Sequence, residues 1–83
     1  MKIFVTGGAG FIGSHYVRTM LAGGYPGFET AQITVLDKLT YAGNLRNLPA
    51  AHPRLTFVHG DIADAKLLSR VLPGHDAVVH FAA

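Results

Sequence analysis

The chain has 83 residues, which supports at most one domain with a small core. Hydrophobic residues make up 49% and charged residues 14%, a balance that excludes an intrinsically disordered chain. Because there is no cysteine, a disulfide scaffold and a thiolate metal site are also excluded. The formal net charge is +2, but no two of the lysines and arginines are adjacent, so we expect no nucleic-acid partner.

The beginning of the chain predicts neither a signal peptide nor a membrane span. The apolar run after Lys2 ends at Thr6 and two glycines. A signal peptide needs an apolar stretch of about 7–15 residues and a membrane span about 20. We therefore expect a cytoplasmic protein without a membrane partner.

The first half of the chain predicts two strands separated by a helix. Lys2–Thr6 is apolar and β-branched, typical of a strand buried on both faces. A helix follows, with apolar residues at helical spacing and a stop at Gly23, Gly24 and Pro26. Residues 25–32 are predicted to form a surface loop, and residues 33–37 the second strand.

The second half repeats the alternation. Residues 37–49 are predicted to form a loop with a short helical turn, and Leu55–His59 a third strand. Asp64 is a suitable N-cap for a second helix, which Pro73 and Gly74 end. Residues 77–81 form the fourth predicted strand.

Strands joined by helical crossovers indicate a parallel sheet with right-handed connections. The expected fold class is α/β, a doubly wound sheet of the Rossmann type with strand order 3-2-1-4. That order leaves the fourth strand as an open apolar edge, which soluble proteins avoid. We therefore expect residues 1–83 to be the N-terminal portion of a nucleotide-binding domain, with the rest of that domain and any substrate domain absent.

A glycine-rich turn, TGGAGFIG at residues 6–13, follows the first strand and opens the first helix. Gly7 permits a tight turn, Gly10 permits close approach of a pyrophosphate, and Gly13 permits close packing of the helix on the sheet. The N-terminus of the helix offers free N–H groups and a positive dipole end to the phosphates. Glycines also mark ordinary turns, so the motif needs a second feature.

Asp37 supplies that feature at the end of the second strand. It lies 24 residues after Gly13, near the roughly 20 expected for a ribose-binding acid. Its carboxylate would accept hydrogen bonds from the adenosine ribose and repel the 2′-phosphate of NADP, so NAD is the expected cofactor. The alternative is a plain turn and a solvated aspartate.

Other polar residues leave alternatives open. Asp61, after the third strand, could accept a hydrogen bond from adenine, with Ile62 on the ring, or could cap the next helix. Lys38 could contact the ribose or a phosphate, or be simply exposed. The five histidines show no metal-site spacing, so no metal is expected, and His80 is predicted to be a core residue with a satisfied partner.

The glycine turn resembles the TGxxGxxG motif of the extended short-chain dehydrogenase/reductase family. The segment DKLTYAGNL at residues 37–45 resembles the second-strand loop of the dTDP-glucose 4,6-dehydratases within it, as do HGDI at 59–62 and HFAA at 80–83. The resemblance covers the whole chain but about the first quarter of such an enzyme.

The resemblance implies a role in NAD binding for several residues. Pyrophosphate contacts would come from Phe11 and Ile12, and the adenosine ribose would be surrounded by Asp37, Lys38, Leu39 and Thr40. Asp61 and Ile62 would lie at the adenine. The loop under the nicotinamide would begin with Phe81, Ala82 and Ala83.

The implied activity is a lyase reaction on the nucleotide sugar dTDP-glucose: oxidation at C4, elimination of water across C5 and C6, and return of the hydride to C6. The family's Tyr-x-x-x-Lys pair is missing, because Met20, Glu29 and Leu45 lie four residues after the three tyrosines. No catalytic residue is therefore assigned, and the enzyme is expected to act as a homodimer only when complete. The alternatives are a related epimerase or decarboxylase and a dinucleotide-binding module without catalysis.

Overall fold

The computed structural model describes residues 1–39, 45–49 and 51–82. In chain order these form β1 (Lys2–Thr6), α1 (Phe11–Leu21), β2 (Gln32–Asp37), a 3₁₀ turn (Leu45–Asn47), β3 (Leu55–His59), α2 (Ala65–Val71) and β4 (Ala77–His80). The strands form one parallel sheet in the order β3-β2-β1-β4. The predicted α/β class and strand order are confirmed.

The core lies mainly between the sheet and α1. Alternate residues of β1 and β2 point to the same face, and there Ile3 and Val5 of β1 join Ile33 and Val35 of β2. Val17, Met20 and Leu21 of α1 cover them. On the opposite face Phe4 and Leu36 are each only 1% exposed. β1 is therefore buried on both faces, as its continuous apolar run predicts.

Asp64 caps α2 as the sequence predicts. Its side chain accepts a hydrogen bond from the backbone N–H of Leu67 at 3.0 Å, and its own backbone is extended. Such a cap satisfies one of the N–H groups that the first turn of a helix leaves without a partner.

We expect Asp64→Ala to lower the free energy of unfolding by about 1 kcal/mol, because the Leu67 N–H loses its acceptor. Asp64→Asn keeps an acceptor oxygen and is the matched control, with stability close to that of the unsubstituted protein. Urea denaturation of both variants measures the difference. Equal stability of the two variants would show that the cap does not contribute.

Three predictions about local structure were wrong in part. β2 begins at Gln32, a polar exposed residue that nevertheless pairs with Lys2, and β4 ends at His80 rather than at residue 81. The loop before β2 is not purely superficial, since Tyr25 and Phe28 pack against the core and Ala31 is buried. Aromatic side chains of a loop can pack against the core, and no local sequence pattern predicts such a contact.

β4 is an edge strand of the sheet, and its Val78 is 57% exposed. His80 on the same strand is exposed rather than in the core, which corrects that prediction, although its Nδ1 does lie 2.5 Å from Oγ1 of Thr6. β1 has a neighbouring strand on each side, β2 and β4, whereas β4 has a neighbour on one side only. His80 is therefore exposed because its strand lies at the edge of the sheet. Within the described ranges no helix is long and apolar enough to span a membrane.

Candidate functional site

The turn between β1 and α1 requires glycine at its first position for two reasons. Gly7 has a φ of +70°, in the left-handed region that side chains disfavour. A Cβ on Gly7 would also lie 2.6 Å from the backbone nitrogen of Ala82 and 2.8 Å from the carbonyl carbon of Phe81. The turn therefore packs directly against the backbone that follows β4.

Gly13 is constrained by the turn itself. A Cβ there would overlap the carbonyl oxygen of Gly7 and lie 3.0 Å from Cα of Gly8. From the sequence we expect Gly13 to let the helix pack closely on the sheet. In the structure, α1 closely approaches the backbone of Gly7 and Gly8, just beyond the end of β1. All of the atoms approached are main-chain atoms, so no side chain can move aside.

Among the described residues, no side chain caps the N-terminus of α1. Gly10 is its N-cap and has no side chain, so no cap hydrogen bond forms, and the first turn contains no acidic residue. The N–H groups of the first turn lack acceptors within the helix and carry the positive end of its dipole. Phe11 and Ile12, 87% and 71% exposed, flank this end. The residues present therefore fit a phosphate group.

Asp37 ends β2 beside the glycine turn and is only 8% exposed. One carboxylate oxygen accepts a hydrogen bond from the backbone N–H of Ala9 at 2.9 Å, and the other from the N–H of Leu39 at 2.8 Å. Each carboxylate oxygen has a further lone pair, so the group retains capacity to accept from a diol. Within the described ranges, Asp37 therefore combines a fixed position with lone pairs that accept no other hydrogen bond.

Leu39, two residues after the end of β2, has an unusual backbone conformation. Leu39 has a φ of +57°, which is rare for a residue other than glycine. Its N–H is bound by Asp37, and its side chain packs against the core cluster. Strained backbone of this kind is found where surrounding contacts fix a functional loop.

Lys38 and Asp61 link the loops that follow β2 and β3. The Lys38 ammonium lies 3.2 Å from one oxygen of Asp61, and the backbone N–H of Ala63 donates to the other at 2.9 Å. These contacts, first the Ala63 N–H and then Lys38, hold the pKa of Asp61 below its usual value. The cap of α2 is Asp64, so the alternative role of Asp61 as that cap is wrong.

The segment after β4 approaches the same region. The N–H of Phe81 donates to the carbonyl of Thr6 at 2.8 Å, continuing the pairing of the strands by one bond. The ring of Phe81 packs on Tyr16 with centroids 5.4 Å apart, so this residue offers mainly its backbone to a ligand. Ala82 lies against Gly7.

The structure thus brings most candidate residues to one place, the carboxyl edge of the parallel sheet. This edge is where open α/β sheets bind ligands. It carries the glycine turn and the residues that end or closely follow the other three strands: Gly7, Gly10, Phe11, Ile12, Gly13, Asp37, Lys38, Leu39, Asp61, Ile62, Phe81 and Ala82. The remaining two predicted site residues, Thr40 and Ala83, lie outside the described residues.

Two further observations concern a cavity outside the site and the possibility of a metal ion. A cavity of about 550 Å³ beside β3, lined mainly by Leu45, Leu48, Leu55 and Phe57, contains none of the candidate residues. In the part of the chain that the structure describes, no three His, Asp or Glu side chains lie close enough together to hold a metal ion.

Sequence reasoning missed one polar group at the site. Asn47, in the 3₁₀ turn, donates from its side-chain amide to the carbonyl of Ala9 at 3.0 Å, and Arg18 of α1 donates to the carbonyl of Asn47 at 2.7 Å. Asn47 and Ala9 are 38 positions apart in the sequence, so no local motif predicts the hydrogen bond between them.

The doubly wound sheet, the glycine turn and the acid at the end of β2 define a Rossmann-type nucleotide-binding fold. A family model, GDP-mannose 4,6 dehydratase, matches residues 4–83. The chain belongs to this family.

Individual proteins are similar over the whole chain. A dTDP-glucose 4,6-dehydratase of Streptomyces niveus is 60% identical over 85 aligned residues, covering 100% of this chain and 25% of that protein. The crystal structure of a dTDP-glucose 4,6-dehydratase from Streptomyces venezuelae with NAD bound superposes with a TM-score of 0.95 and 64% identity, over 100% of this chain and 26% of that one.

A UDP-glucose 4-epimerase of Thermotoga maritima, solved with UDP-glucose, is more distant. It has a TM-score of 0.78 and 36% identity, over 100% of this chain and 24% of its own. The chain thus spans about a quarter of the length of the relatives it matches.

Proposed function

We propose that this chain is the NAD-binding part of a dTDP-glucose 4,6-dehydratase, forming the N-terminal portion of its Rossmann domain. The observation that carries the proposal is the position of Asp37. Its carboxylate is fixed beside the N-terminus of α1 and, among the described residues, accepts only the N–H groups of Ala9 and Leu39, which leaves lone pairs for an adenosine ribose next to a pyrophosphate. The similarity to dTDP-glucose 4,6-dehydratases, greater than to the epimerase, supports the choice of substrate.

Each loop at the carboxyl edge has a role in this proposal. Backbone N–H groups at Phe11 and Ile12 bind the pyrophosphate, made accessible by Gly7, Gly10 and Gly13. Asp37, Lys38, Leu39 and Thr40 surround the ribose. Asp61 and Ile62 bind the adenine, and the backbone of Phe81, Ala82 and Ala83 passes beneath the nicotinamide.

When bound, NAD supplies the hydride acceptor and donor for the conversion of dTDP-glucose to a 4-keto-6-deoxy sugar nucleotide. The residues of this chain bind and orient the cofactor and do not transfer protons to the sugar, because no Tyr-x-x-x-Lys pair occurs among them. Proton transfer and sugar binding therefore belong to the rest of the enzyme. The proposed enzyme is a cytoplasmic homodimer.

A first experiment tests the cofactor and the reaction separately. The complete protein is purified and denatured, and we expect release of NAD in stoichiometric amount. The native protein is then incubated with dTDP-glucose and, separately, with UDP-glucose. We expect a 4-keto product from dTDP-glucose.

The other outcomes identify the alternatives. UDP-galactose formed from UDP-glucose, without a 4-keto product, would indicate an epimerase. NAD release without turnover of either sugar would indicate a binding module, and absence of both NAD and NAD affinity would overturn the proposal.

A further inference from the structure

The middle of the glycine turn is held by side chains at both of its polar backbone groups. The N–H of Ala9 donates to Asp37, and the C=O of Ala9 accepts from the Asn47 amide at 3.0 Å. Ala9 itself is fully buried. The N–H of the next residue, Gly10, donates to the carbonyl of Gly7 at 3.2 Å.

These bonds determine which way the turn presents its dipoles. In a planar trans peptide the C=O and the following N–H point in opposite directions. While Asn47 binds the Ala9 carbonyl, that oxygen is turned toward the 3₁₀ turn and the Gly10 N–H stays inside the turn. Without Asn47 the carbonyl loses a hydrogen bond in a partly buried place, and rotation of the peptide would expose a partial negative charge near the N-terminus of α1.

Arg18 in turn positions Asn47. One guanidinium nitrogen donates to the Asn47 carbonyl at 2.7 Å and to the hydroxyl of Ser14 at 3.1 Å, so the 3₁₀ turn is tied to α1. Leu48, the next residue, is 6% exposed and belongs to the core cluster. The position of Asn47 is thus fixed from both sides.

We infer that Asn47, supported by Arg18, is a positioning residue that keeps the glycine turn in its anion-binding conformation and so sets the affinity for the dinucleotide. The inference rests on the proposed function, because it concerns the same cofactor. It adds a side-chain amide that contacts the turn at the Ala9 carbonyl and acts through the Ala9 peptide.

The test compares NAD affinity with thermal stability in the complete protein. NAD is removed, and the dissociation constant is measured by calorimetry at a temperature well below the melting temperature of each variant. We expect Asn47→Ala to weaken NAD binding about tenfold, the effect of one hydrogen bond whose loss leaves an unpaired carbonyl.

A second variant shows whether the loss of NAD affinity comes from the orientation of the Ala9 peptide or from a general loss of stability. Asn47→Asp has the same shape, but its ionised carboxylate faces the Ala9 carbonyl with no hydrogen to donate. At pH 8 we expect it to bind NAD more weakly than Asn47→Ala does. An aspartic acid side chain ordinarily has a pKa of about 3.9, and the Arg18 guanidinium beside residue 47 favours its charged form. As the pH falls below about 4 the carboxyl takes up a proton and regains a donor, and the difference between the two variants should shrink.

The matched control is Arg54, which makes the same kind of contact away from the site. Its guanidinium donates to the carbonyls of Leu21 and Ala31 at 2.8 and 2.9 Å, at the opposite end of α1. Arg54→Met should lower the melting temperature and leave the NAD affinity unchanged. If that variant does not fold, Arg54→Lys, which keeps a donor, replaces it.

Each outcome decides between the claims. If the unsubstituted protein does not bind NAD, the proposed function fails and the inference with it. If it binds NAD and Asn47→Ala binds equally well, the inference alone is overturned. A loss of affinity in the Arg54 variant as large as that in Asn47→Ala would likewise overturn it, by showing that any weakening of α1 has this effect.

Discussion

Replacing Gly13 by alanine is expected to destabilise the fold by about 1–3 kcal/mol, the usual result of forcing an extra carbon into close-packed surroundings. The new Cβ would overlap the Gly7 carbonyl oxygen and lie 3.0 Å from Cα of Gly8. Intrinsic helix propensity predicts the opposite sign, because alanine is favoured over glycine inside a helix by about 1 kcal/mol. The sign of the measured change therefore decides which effect dominates.

The same substitution should weaken NAD binding about a hundredfold, equivalent to losing one or two hydrogen bonds to a charged phosphate. To relieve the overlap, α1 must move away from the turn, and its free N–H groups move with it. Chemical denaturation and calorimetric titration with NAD measure the two effects in the complete protein.

His15→Ala is the matched control for Gly13→Ala, since His15 is an exposed residue of the same helix. We expect its stability to change by less than about 0.5 kcal/mol. A Gly13→Ala protein more stable than the unsubstituted one, with unchanged NAD affinity, would show that the approach of α1 to Gly7 is not close enough to matter.

The strands and helices could be predicted because the sequence patterns that specify them are local. β1 is buried on both faces, has a continuous apolar run and matches its predicted bounds residue for residue. β3 also matches its predicted bounds, although it is an edge strand on which Thr56 and His59 are exposed. Glycine and proline then mark the ends of both helices. Strand order followed from the handedness of crossovers and the glycine turn, which place β1 at the centre.

Contacts between distant segments could not be predicted in this way. Asn47 lies in a polar loop, and nothing in its sequence neighbours distinguishes it from other loop asparagines until the fold brings it to Ala9. The bonds from Ala9 and Leu39 to Asp37 are similar: the pattern indicates an acid at the end of β2, but only the structure shows that this acid also holds two loops. Such contacts depend on the tertiary arrangement, which local patterns do not encode.

Asp37 holds two loops and is proposed to bind the ribose, and this leads to the second large expected effect. Asp37→Ala should weaken NAD binding by about 1–3 kcal/mol, through loss of a charged acceptor for the ribose hydroxyls. It should also lower stability, because the backbone N–H groups of Ala9 and Leu39 lose their acceptor at a buried site. Asp76→Ala is the control, since Asp76 accepts a backbone N–H from Lys2 at 2.7 Å at the opposite edge of the sheet. That variant should change stability alone.

NADP separates the two roles of Asp37. If the carboxylate binds the ribose, it also repels a 2′-phosphate, so its removal weakens NAD binding and relieves a penalty on NADP. The ratio of the two dissociation constants, NADP over NAD, should then fall in Asp37→Ala and stay unchanged in Asp76→Ala. If Asp37 acts only by holding the glycine turn, both cofactors lose affinity by the same factor, since both place their pyrophosphate on that turn. Calorimetric titrations of each variant with both dinucleotides give the ratio, and an unchanged ratio in Asp37→Ala would remove Asp37 from the ribose site.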